Sequence, residues 1–319
     1  PDYSLGISTT TTSAGKALYG GLARYTEAIQ LDLAGLHGGG VIDFKTAHAE
    51  GDDFTFLPDE AVGVTQSFSN RSDEAFDVPF LDGKGGAMRF APYAGRLTCS
   101  TGRDSLTAFN RGVMFSGDLT LADSGLFAAG AFTFEQARLA SQVFQLTQHH
   151  ALADSAGLAL RGLEGRMAFR TDRVGADVNF ADRWGDFEAL EGGASVELPL
   201  NQYRVELDRF RWFMDLDQIA LESDRTFPEP SLSLTGAASV AENYHSLHPG
   251  QDSLRFLSPN SRFDVARARV DCGGVDYLDV ADAQIWPDSG KMTIQRLAAI
   301  DPLENAMVIA DRVSRHHRI

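Results

Sequence analysis

Carboxylates at short spacing are the most suggestive chemical groups in this chain. Asp215 and Asp217 stand two residues apart, so on a strand both side chains would point to one face. Two such carboxylates can share acid–base work at a glycosidic bond or bind Ca²⁺. The other groups are Asp52-Asp53 and Asp276/Asp279/Asp282. None of these spacings matches an EF-hand loop or a glycine-rich calcium repeat, and the favoured interpretation is an acidic, exposed surface.

The histidines and a search for nucleophile motifs give weaker candidates for a catalytic or metal site. His149 and His150 are adjacent, so on a strand their rings face opposite ways and cannot easily bind one metal ion. The same argument applies to His316 and His317. The sequence contains no GxSxG, SxxK, HExxH or GxxxxGK[ST] pattern. It therefore predicts a chain that is not an enzyme and has no metal site and no cofactor.

The best ligand-binding candidate is apolar and lies in "YRVELDRFRWFMDLDQIALES" (203–223). Four side chains of equal parity are predicted to line one strand face, which we call the apolar wall: Phe210, Trp212, Met214 and Leu216. Changes of phase at Asp208-Arg209 and Asp217-Gln218 predict a strand, a bulge, a second strand face and a tight turn. Buried core is the favoured interpretation of the wall, and a groove for a hydrophobic ligand is the alternative.

Aromatic residues offer a second binding hypothesis, a platform on which sugar rings stack. The side chains considered for it are Trp184, Trp212, Trp286, Tyr203, Tyr244 and Tyr277.

Charge and cysteine content narrow the class of protein. The net charge of −16 argues against a nucleic-acid partner and against adsorption to an anionic membrane. The two cysteines, Cys99 and Cys272, lack CxxC spacing, so one disulfide and two buried free thiols both stay open. No run of about 18 apolar residues is present. The chain begins without methionine, and we expect a longer parent protein.

Alternation with a period of two recurs throughout and predicts an all-β fold. Examples are 27–35, 117–135 with a turn at Asp123-Ser124-Gly125, and 165–190 with breaks at Asp172 and Asp182. A glycine-rich turn is predicted at 38–40. We expect an elongated stack of antiparallel strand–turn units: a β-jelly-roll ladder, solenoid-like or sandwich-like.

Three regions are predicted along the chain. Residues 1–222 form a β-ladder block with a minor break near 81–86. Residues 223–262, rich in Pro and Ser, form an irregular excursion, and 263–319 continue the ladder.

Segments 176–223, 40–59 and 275–294 resemble very long envelope proteins of Bacteroidetes-type bacteria, in which strand–turn units with phrases such as N-Q-Y and F-x-W-x-M-D recur. More remotely, the chain is similar to the β-jelly-roll ladders that carry lipopolysaccharide across the periplasm and to lipid-transfer proteins. The resemblance implies a periplasmic or cell-surface location. It implies partners among other segments of the same chain or of an envelope assembly, with lipid or glycan as ligands.

Three functions follow as hypotheses. The first is a non-catalytic structural or lipid-conduit segment of a large envelope protein. The second is a cell-surface β-sandwich module that binds carbohydrate or protein. The third, more remote, is a carbohydrate-active enzyme on a parallel β-helix that uses Asp215 and Asp217.

Overall fold

The computed structural model describes residues 7–10, 15–109, 112–190, 193–225, 242–310 and 317–318. The strands in the first half are β1 (Ile7–Thr10), β2 (Lys16–Leu18), β3 (Ala23–Asp32), β4 (Gly35–Phe44), β5 (Ala47–Phe56), β6 (Ala61–Asn70), β7 (Leu81–Gly83), β8 (Ala87–Ala91), β9 (Arg96–Ser100), β10 (Leu106–Ala108), β11 (Val113–Ala122), β12 (Gly125–Phe134), β13 (Ala137–Leu146), β14 (His150–Arg161) and β15 (Met167–Asn179). The strands in the second half are β16 (Trp184–Ala189), β17 (Ala194–Leu198), β18 (Tyr203–Leu207), β19 (Arg209–Phe213), β20 (Gln218–Glu222), β21 (Tyr244–Ser246), β22 (Arg255–Phe256), β23 (Asn260–Asp264), β24 (Arg269–Gly273), β25 (Leu278–Val280), β26 (Ala283–Trp286), β27 (Lys291–Ile294), β28 (Met307–Ala310) and β29 (His317–Arg318).

The helices in the described residues are single 3₁₀ turns, so the all-β prediction is confirmed. These turns are Tyr19–Gly21, Pro92–Ala94, Leu163–Gly165, Met214–Leu216, Pro249–Gln251 and Arg296–Ala298. Every strand pairing that the structure describes is antiparallel, which also confirms the antiparallel strand–turn units. The parallel pairing that a β-helix needs does not occur among these strands.

The alternation seen in the sequence is the alternation of buried and exposed side chains. In β11 the side chains of Val113, Phe115, Leu119 and Leu121 are buried, while the residues between them are more exposed. Successive side chains of a strand point to opposite faces, so each strand presents one apolar face to the core. The hairpin of β11 and β12 turns at Asp123-Ser124, as predicted.

The chain divides into two compact units. The first comprises Pro1–Glu135, Leu139–Asp154 and Asn179–Ala181, and the second comprises Gln136–Arg138, Ser155–Val178 and Asp182–Ile319.

The first unit contains a closed barrel of six strands. The ring runs β6–β7–β10–β11–β9–β8 and returns to β6. Each of its two long strands pairs along one edge with two short strands. β6 pairs with β8 and β7, and β11 pairs with β9 and β10. Phe68, Phe90 and Phe115 are fully buried, so aromatic side chains fill the core of this unit.

In the second unit the chain builds two ladders of strands. Ladder A runs β17–β18–β21–β22–β25–β26–β28–β29, and ladder B runs β16–β19–β20–β23–β24–β27. From β17 to β26 the chain places two consecutive strands in one ladder and the next two in the other. The first strand of each new pair forms its hydrogen bonds with the last strand already present in that ladder. This two-by-two alternation is the arrangement that the jelly-roll ladder prediction requires.

Buried asparagines support several of the corners. Asn243 donates from its amide to the carbonyl oxygen of Ser258 (2.9 Å) and accepts from the Ser258 backbone N–H (2.9 Å). Asn201 donates to the backbone oxygen of Ala268 (2.7 Å), and Asn70 donates to that of Pro79 (2.7 Å). These amides satisfy backbone groups where strands end and ladder hydrogen bonds stop.

The predicted glycine-rich turn at 38–40 is wrong. Gly38, Gly39 and Gly40 lie inside β4, where the pairing with β5 shifts register. A Cβ on Gly38 would lie 2.1 Å from the backbone oxygen of Ala28, so only glycine permits this close approach to β3. The turn between β3 and β4 is instead at Leu33-Ala34.

Two predicted irregular regions carry strands. β7 (Leu81–Gly83) lies in the first half of the predicted break near 81–86, whereas residues 84–86 carry no strand. Within the predicted excursion 223–262, residues 226–241 lie outside the described residues, while β21 and β22 pair with β18 and β25. The predicted break at Asp172 is also absent, because β15 runs through it, whereas β15 ends before the break at Asp182. Length and composition alone did not reveal such short strands.

Candidate functional site

Three members of the apolar wall are buried in the core of the second unit. Phe210 and Trp212 lie on β19 and Met214 follows it, and each residue is 3% exposed. Phe210 stacks on Phe187 of β16 with a ring-centroid distance of 4.6 Å and an interplanar angle of 10°. The ring of Phe169 meets Phe210 edge-on at 5.1 Å. The wall is therefore covered by the protein's own side chains.

Leu216 does not belong to the wall, and this part of the prediction is wrong. The residue is 64% exposed. β19 ends at Phe213, and Met214–Leu216 form a 3₁₀ turn closed by Asp217 in the left-handed conformation (φ 50°). Residues two positions apart share a face only while the chain is extended. Equal parity therefore no longer places residues on one face once the turn begins at Met214.

The phase change at Asp208 has a structural cause that sequence reasoning missed. β18 belongs to ladder A and β19 to ladder B, so the chain changes ladder at this residue. Leu207 and Phe210 are both buried although their parities differ. The Asp208 carboxylate accepts a hydrogen bond from the Ser223 hydroxyl (3.0 Å). The predicted bulge is thus a corner, while the predicted tight turn at Asp217 is present.

The carboxylates singled out for chemistry are not brought together as a pair. Asp215 forms an ion pair with Arg183, and Asp217 occupies the turn position with positive φ. Neither residue lies on a strand, so the predicted shared strand face does not exist. The Asp215 side chain is 68% exposed and forms its ion pair with Arg183 at the surface.

The remaining acidic groups are also dispersed. Asp279 is buried on β25, whereas Asp276 and Asp282 are exposed. Asp52 accepts a hydrogen bond from Gln66. Within the described part of the chain, no group of three or more His, Cys, Asp or Glu side chains could hold a metal ion.

The structure does bring together one charged cluster that sequence reasoning missed. The His37 ring lies 3.1 Å from Asp32 through Nε2 and 3.1 Å from Asp53 through Nδ1. Hydrogen bonds to Asp32 and then Asp53 raise the pKa of His37, and the bond to His37 lowers the pKa of Asp32. The stabilisation from His37 is lost as the pH rises through its raised pKa, and the stabilisation from Asp32 is lost as the pH falls through its lowered pKa, so the interaction is strongest between the two. The cluster links β3, β4 and β5 through Asp32, His37 and Asp53. The sequence feature that could have indicated it is the short turn at Leu33-Ala34, which brings Asp32 close to His37.

The histidine pair forms no joint site. His150 lies on β14 with its Nε2 3.1 Å from the amide of Asn179, whereas His149 is exposed. His317 lies in β29, and His316 lies outside the described residues.

Both cysteines are free and buried, at 2% and 3% exposure. Burial raises the pKa of Cys99, and burial raises the pKa of Cys272 to about 12. The thiolate is the nucleophile, so these thiols are inert in the folded protein.

We therefore expect Ellman's reagent at pH 8 to modify neither thiol in the native chain and both after unfolding in guanidinium chloride. The count of released chromophore per chain measures this directly. Rapid reaction of one equivalent in the native chain would contradict the burial of Cys99 or Cys272.

The aromatic residues divide into core and surface. Trp212, Tyr203 and Tyr244 are buried. Trp184 is half-buried, and the guanidinium of Arg211 lies 5.5 Å from the centre of its ring. Trp286 and Tyr277 contact each other with a centroid distance of 4.9 Å. The predicted platform of six aromatic residues is therefore not assembled as one surface.

The outer face of ladder B carries a regular pattern of charge. Cross-strand register aligns two rows of side chains that point away from the core. The first row is Asp186, Arg211, Ala220, Arg262, Asp271 and Thr293. The second row is Glu188, Arg209, Glu222, Asn260, Gly273 and Lys291.

Two shallow depressions lie along these rows. One, of about 510 Å³, is lined by residues of β20, β23, β24 and β27. The other, of about 460 Å³, is lined by residues of β16, β19 and β20. Ala220 and Glu222 line both depressions, so the two are neighbours on the outer face of ladder B.

No described helix is long and apolar enough to cross a membrane. Comparison of the chain with protein-family models, with curated protein sequences and with solved structures finds no match.

Proposed function

We propose that this chain is a non-catalytic structural segment of a large cell-envelope protein, exposed to the periplasm or on the cell surface. The single observation that carries the proposal is the burial of the apolar wall. Phe210, Trp212 and Met214 face the core, and Phe187 and Phe169 occupy the space that an acyl chain would need. A ladder with a filled interior serves as a spacer, whereas a conduit needs an open apolar face.

The construction of the second unit supports a spacer. Each chain segment adds two strands to one ladder before it crosses to the other ladder. A longer chain can therefore extend both ladders by repeating the same step. The partners of such a segment are other segments of the same chain or of an envelope assembly. The net charge of −16 disfavours a nucleic-acid partner.

A non-catalytic role agrees with the state of the candidate chemical groups. Asp215 is engaged in an ion pair with Arg183, and the thiols of Cys99 and Cys272 are packed in the core.

The spacer role is tested by titrating the chain with cis-parinaric acid, whose fluorescence rises in an enclosed apolar site. Serum albumin serves as the positive control for the probe. We expect no saturable rise with this chain, because its apolar wall is covered. Saturable binding of about one probe per chain would show an open apolar site and would overturn the spacer role in favour of the conduit.

A second candidate function, a surface module that binds carbohydrate, is favoured by the outer face of ladder B. Trp184 lies at the edge of this face beside Arg211, where an aromatic ring and a guanidinium are both accessible. Glycan-array binding that is lost in Trp184→Ala while the thermal unfolding midpoint stays unchanged would support it. Absence of any array signal for the unmodified chain would remove it.

A further inference from the structure

We infer that a small pocket at one end of the barrel binds a neutral sugar ring, with Phe80 packing on the face of the ring and Gln148 and His149 contacting its hydroxyl groups. The pocket, which we call the barrel-end pocket, lies within the first unit and rests neither on the spacer role nor on Trp184. Its lining is mainly Ser72, Phe80, Phe109, Gln148, His149 and Phe180.

The barrel strands place two aromatic residues at the same end of the barrel. Leu81 of β7 pairs with Asn70 of β6 and with Ala108 of β10, so these three strands end side by side. Phe80 directly precedes β7, and Phe109 directly follows β10. The backbone N–H of Phe109 donates to the carbonyl oxygen of Phe80 (3.0 Å), which continues the pairing by one residue. The mouth of a β-barrel is a common place for a ligand site.

A second part of the chain closes the pocket from the side. Gln148 and His149 belong to the turn between β13 and β14, and Phe180 directly follows β15. The backbone N–H of Phe180 donates to the carbonyl oxygen of His149 (2.9 Å), and that of Gln148 donates to the Asp77 carboxylate (3.0 Å). The side-chain Nε2 of Gln148 donates to the Ser72 hydroxyl (3.4 Å). Hydrogen bonds therefore hold the turn in place against the end of the barrel.

Aromatic rings form the floor of the pocket. Phe109 and Phe180 stack with a centroid distance of 4.4 Å and an interplanar angle of 27°, and both are buried. Phe134 meets Phe180 edge-on at 5.0 Å, so core packing fixes the stacked pair. Phe80 is only half-buried and lines the pocket. The C–H groups of a sugar ring can pack on such a rigid aromatic surface.

The lining of the pocket favours a neutral ligand. Among the described residues that line it, none is Asp, Glu, Lys or Arg, and His149 is the single ionisable one. The depressions on ladder B differ, because carboxylates and cations line both of them. In a chain with 28 basic and 44 acidic residues, an uncharged lining is a distinguishing feature. A charged ligand would lose its water here without gaining an ion pair.

Polar side chains beside the aromatic floor suit hydroxyl groups. In the part of the chain that the structure describes, Oε1 of Gln148 and both ring nitrogens of His149 have no hydrogen-bond partner. The Ser72 hydroxyl accepts from Gln148 and keeps its own proton for donation. A pyranose has C–H groups on its faces and hydroxyl groups around its edge, so it can use both parts of this lining.

The size of the pocket fits one ring. Its volume is about 210 Å³. Pockets for drug-sized ligands commonly measure about 300–1,000 Å³, so this pocket takes a smaller molecule. An acyl chain would leave the polar groups of Gln148 and Ser72 without water and without new hydrogen bonds, which disfavours it.

The test is a titration of the intact chain, followed by saturation-transfer difference NMR, with the methyl glycosides of glucose, galactose and mannose. We expect saturable binding of at least one of the three, in the millimolar range because the contact area is small. The corresponding uronate has the same ring with an added carboxylate, and we expect it to bind about tenfold more weakly.

Two variants locate the site, each with a matched control. Phe80→Leu keeps an apolar side chain but removes the ring, and Gln148→Ala removes the amide; each is expected to weaken binding about fivefold. Phe76→Leu changes an exposed ring outside the pocket, and Gln145→Ala removes an exposed amide from β13. Both controls are expected to leave the affinity unchanged. Thermal unfolding midpoints show that each variant is folded, and Gln148→Ala lies in a turn, so the test stands if Phe80→Leu does not fold.

Four results would overturn the inference. They are absence of saturable binding of all three glycosides, equal affinity for the corresponding uronate, unchanged affinity in either folded pocket variant, and equal weakening by either control. Binding at this pocket is expected to survive Trp184→Ala and has no bearing on the parinaric acid test. Failure here is therefore distinguishable from failure of the spacer role and of the second candidate function.

Discussion

Phe210→Ala is expected to lower the free energy of unfolding by about 3–5 kcal/mol, as is typical of removing a buried phenylalanine. The side chain is 3% exposed, stacks on Phe187 and meets Phe169 edge-on. Its loss removes these contacts and leaves a cavity that the paired strands β16 and β20 cannot close without breaking ladder hydrogen bonds. Guanidinium chloride unfolding followed by circular dichroism measures the change.

Leu216→Ala is the matched control within the same predicted wall. Leu216 is 64% exposed in the turn after β19, so its truncation is expected to cost less than about 0.5 kcal/mol. A small effect of Phe210→Ala, comparable with that of Leu216→Ala, would mean that the wall is not core. The structural account of the chain would then be wrong.

Gly117→Ala is expected to destabilise the first unit by about 4 kcal/mol or more, because two penalties add. Gly117 has a φ of +145°, a conformation that residues with a Cβ rarely adopt. A Cβ would also lie 2.1 Å from the backbone oxygen of Ala129 on β12. Gly117 lies where β11 stops pairing with β10 and starts pairing with β9, so the strain falls on the closure of the barrel.

Gly125→Ala separates the two penalties. Gly125 starts β12 with a φ of +126°, yet a Cβ there meets no atom within 4 Å. We expect a cost of about 1–3 kcal/mol from backbone strain alone. Equal costs at Gly117 and Gly125 would show that β11 and β12 can separate to admit a side chain, contrary to the close approach of Gly117 to Ala129.

The all-β class and the hairpin at Asp123-Ser124 could be predicted because they depend on local rules. Alternation of apolar and polar residues identifies a strand whatever its partner is. An Asp-Ser-Gly sequence between two alternating runs is a turn signal with a mechanism. Both rules act over a few residues and need no knowledge of distant contacts.

The errors arose where distant contacts decide the structure. The glycines at 38–40 resemble a turn in sequence, but Gly38 is required by the close backbone of β3. Leu216 was placed on the wall by parity, although the chain turns after Phe213. The corner at Asp208 was interpreted as a bulge, because a change of ladder and a bulge give the same change of phase in sequence.

The outer face of ladder B was the least predictable part. Ala220 and Lys291 are 71 positions apart in the sequence, and only the pairing of β20, β23, β24 and β27 places them with Arg262 on one face. Sequence reasoning also gave no sign that Arg262 lacks a carboxylate partner while Arg209 and Arg211 have one. Charge pairing across strands is a property of register, and register depends on the whole ladder.

Native mass spectrometry of the detergent-free chain shows whether the protein's own side chains fill the interior of the ladder. The chain is first incubated with phosphatidylethanolamine vesicles and then separated from them. We expect the mass of the polypeptide alone, 34.6 kDa, with no retained lipid. A stoichiometric phospholipid adduct that survives the separation would contradict it.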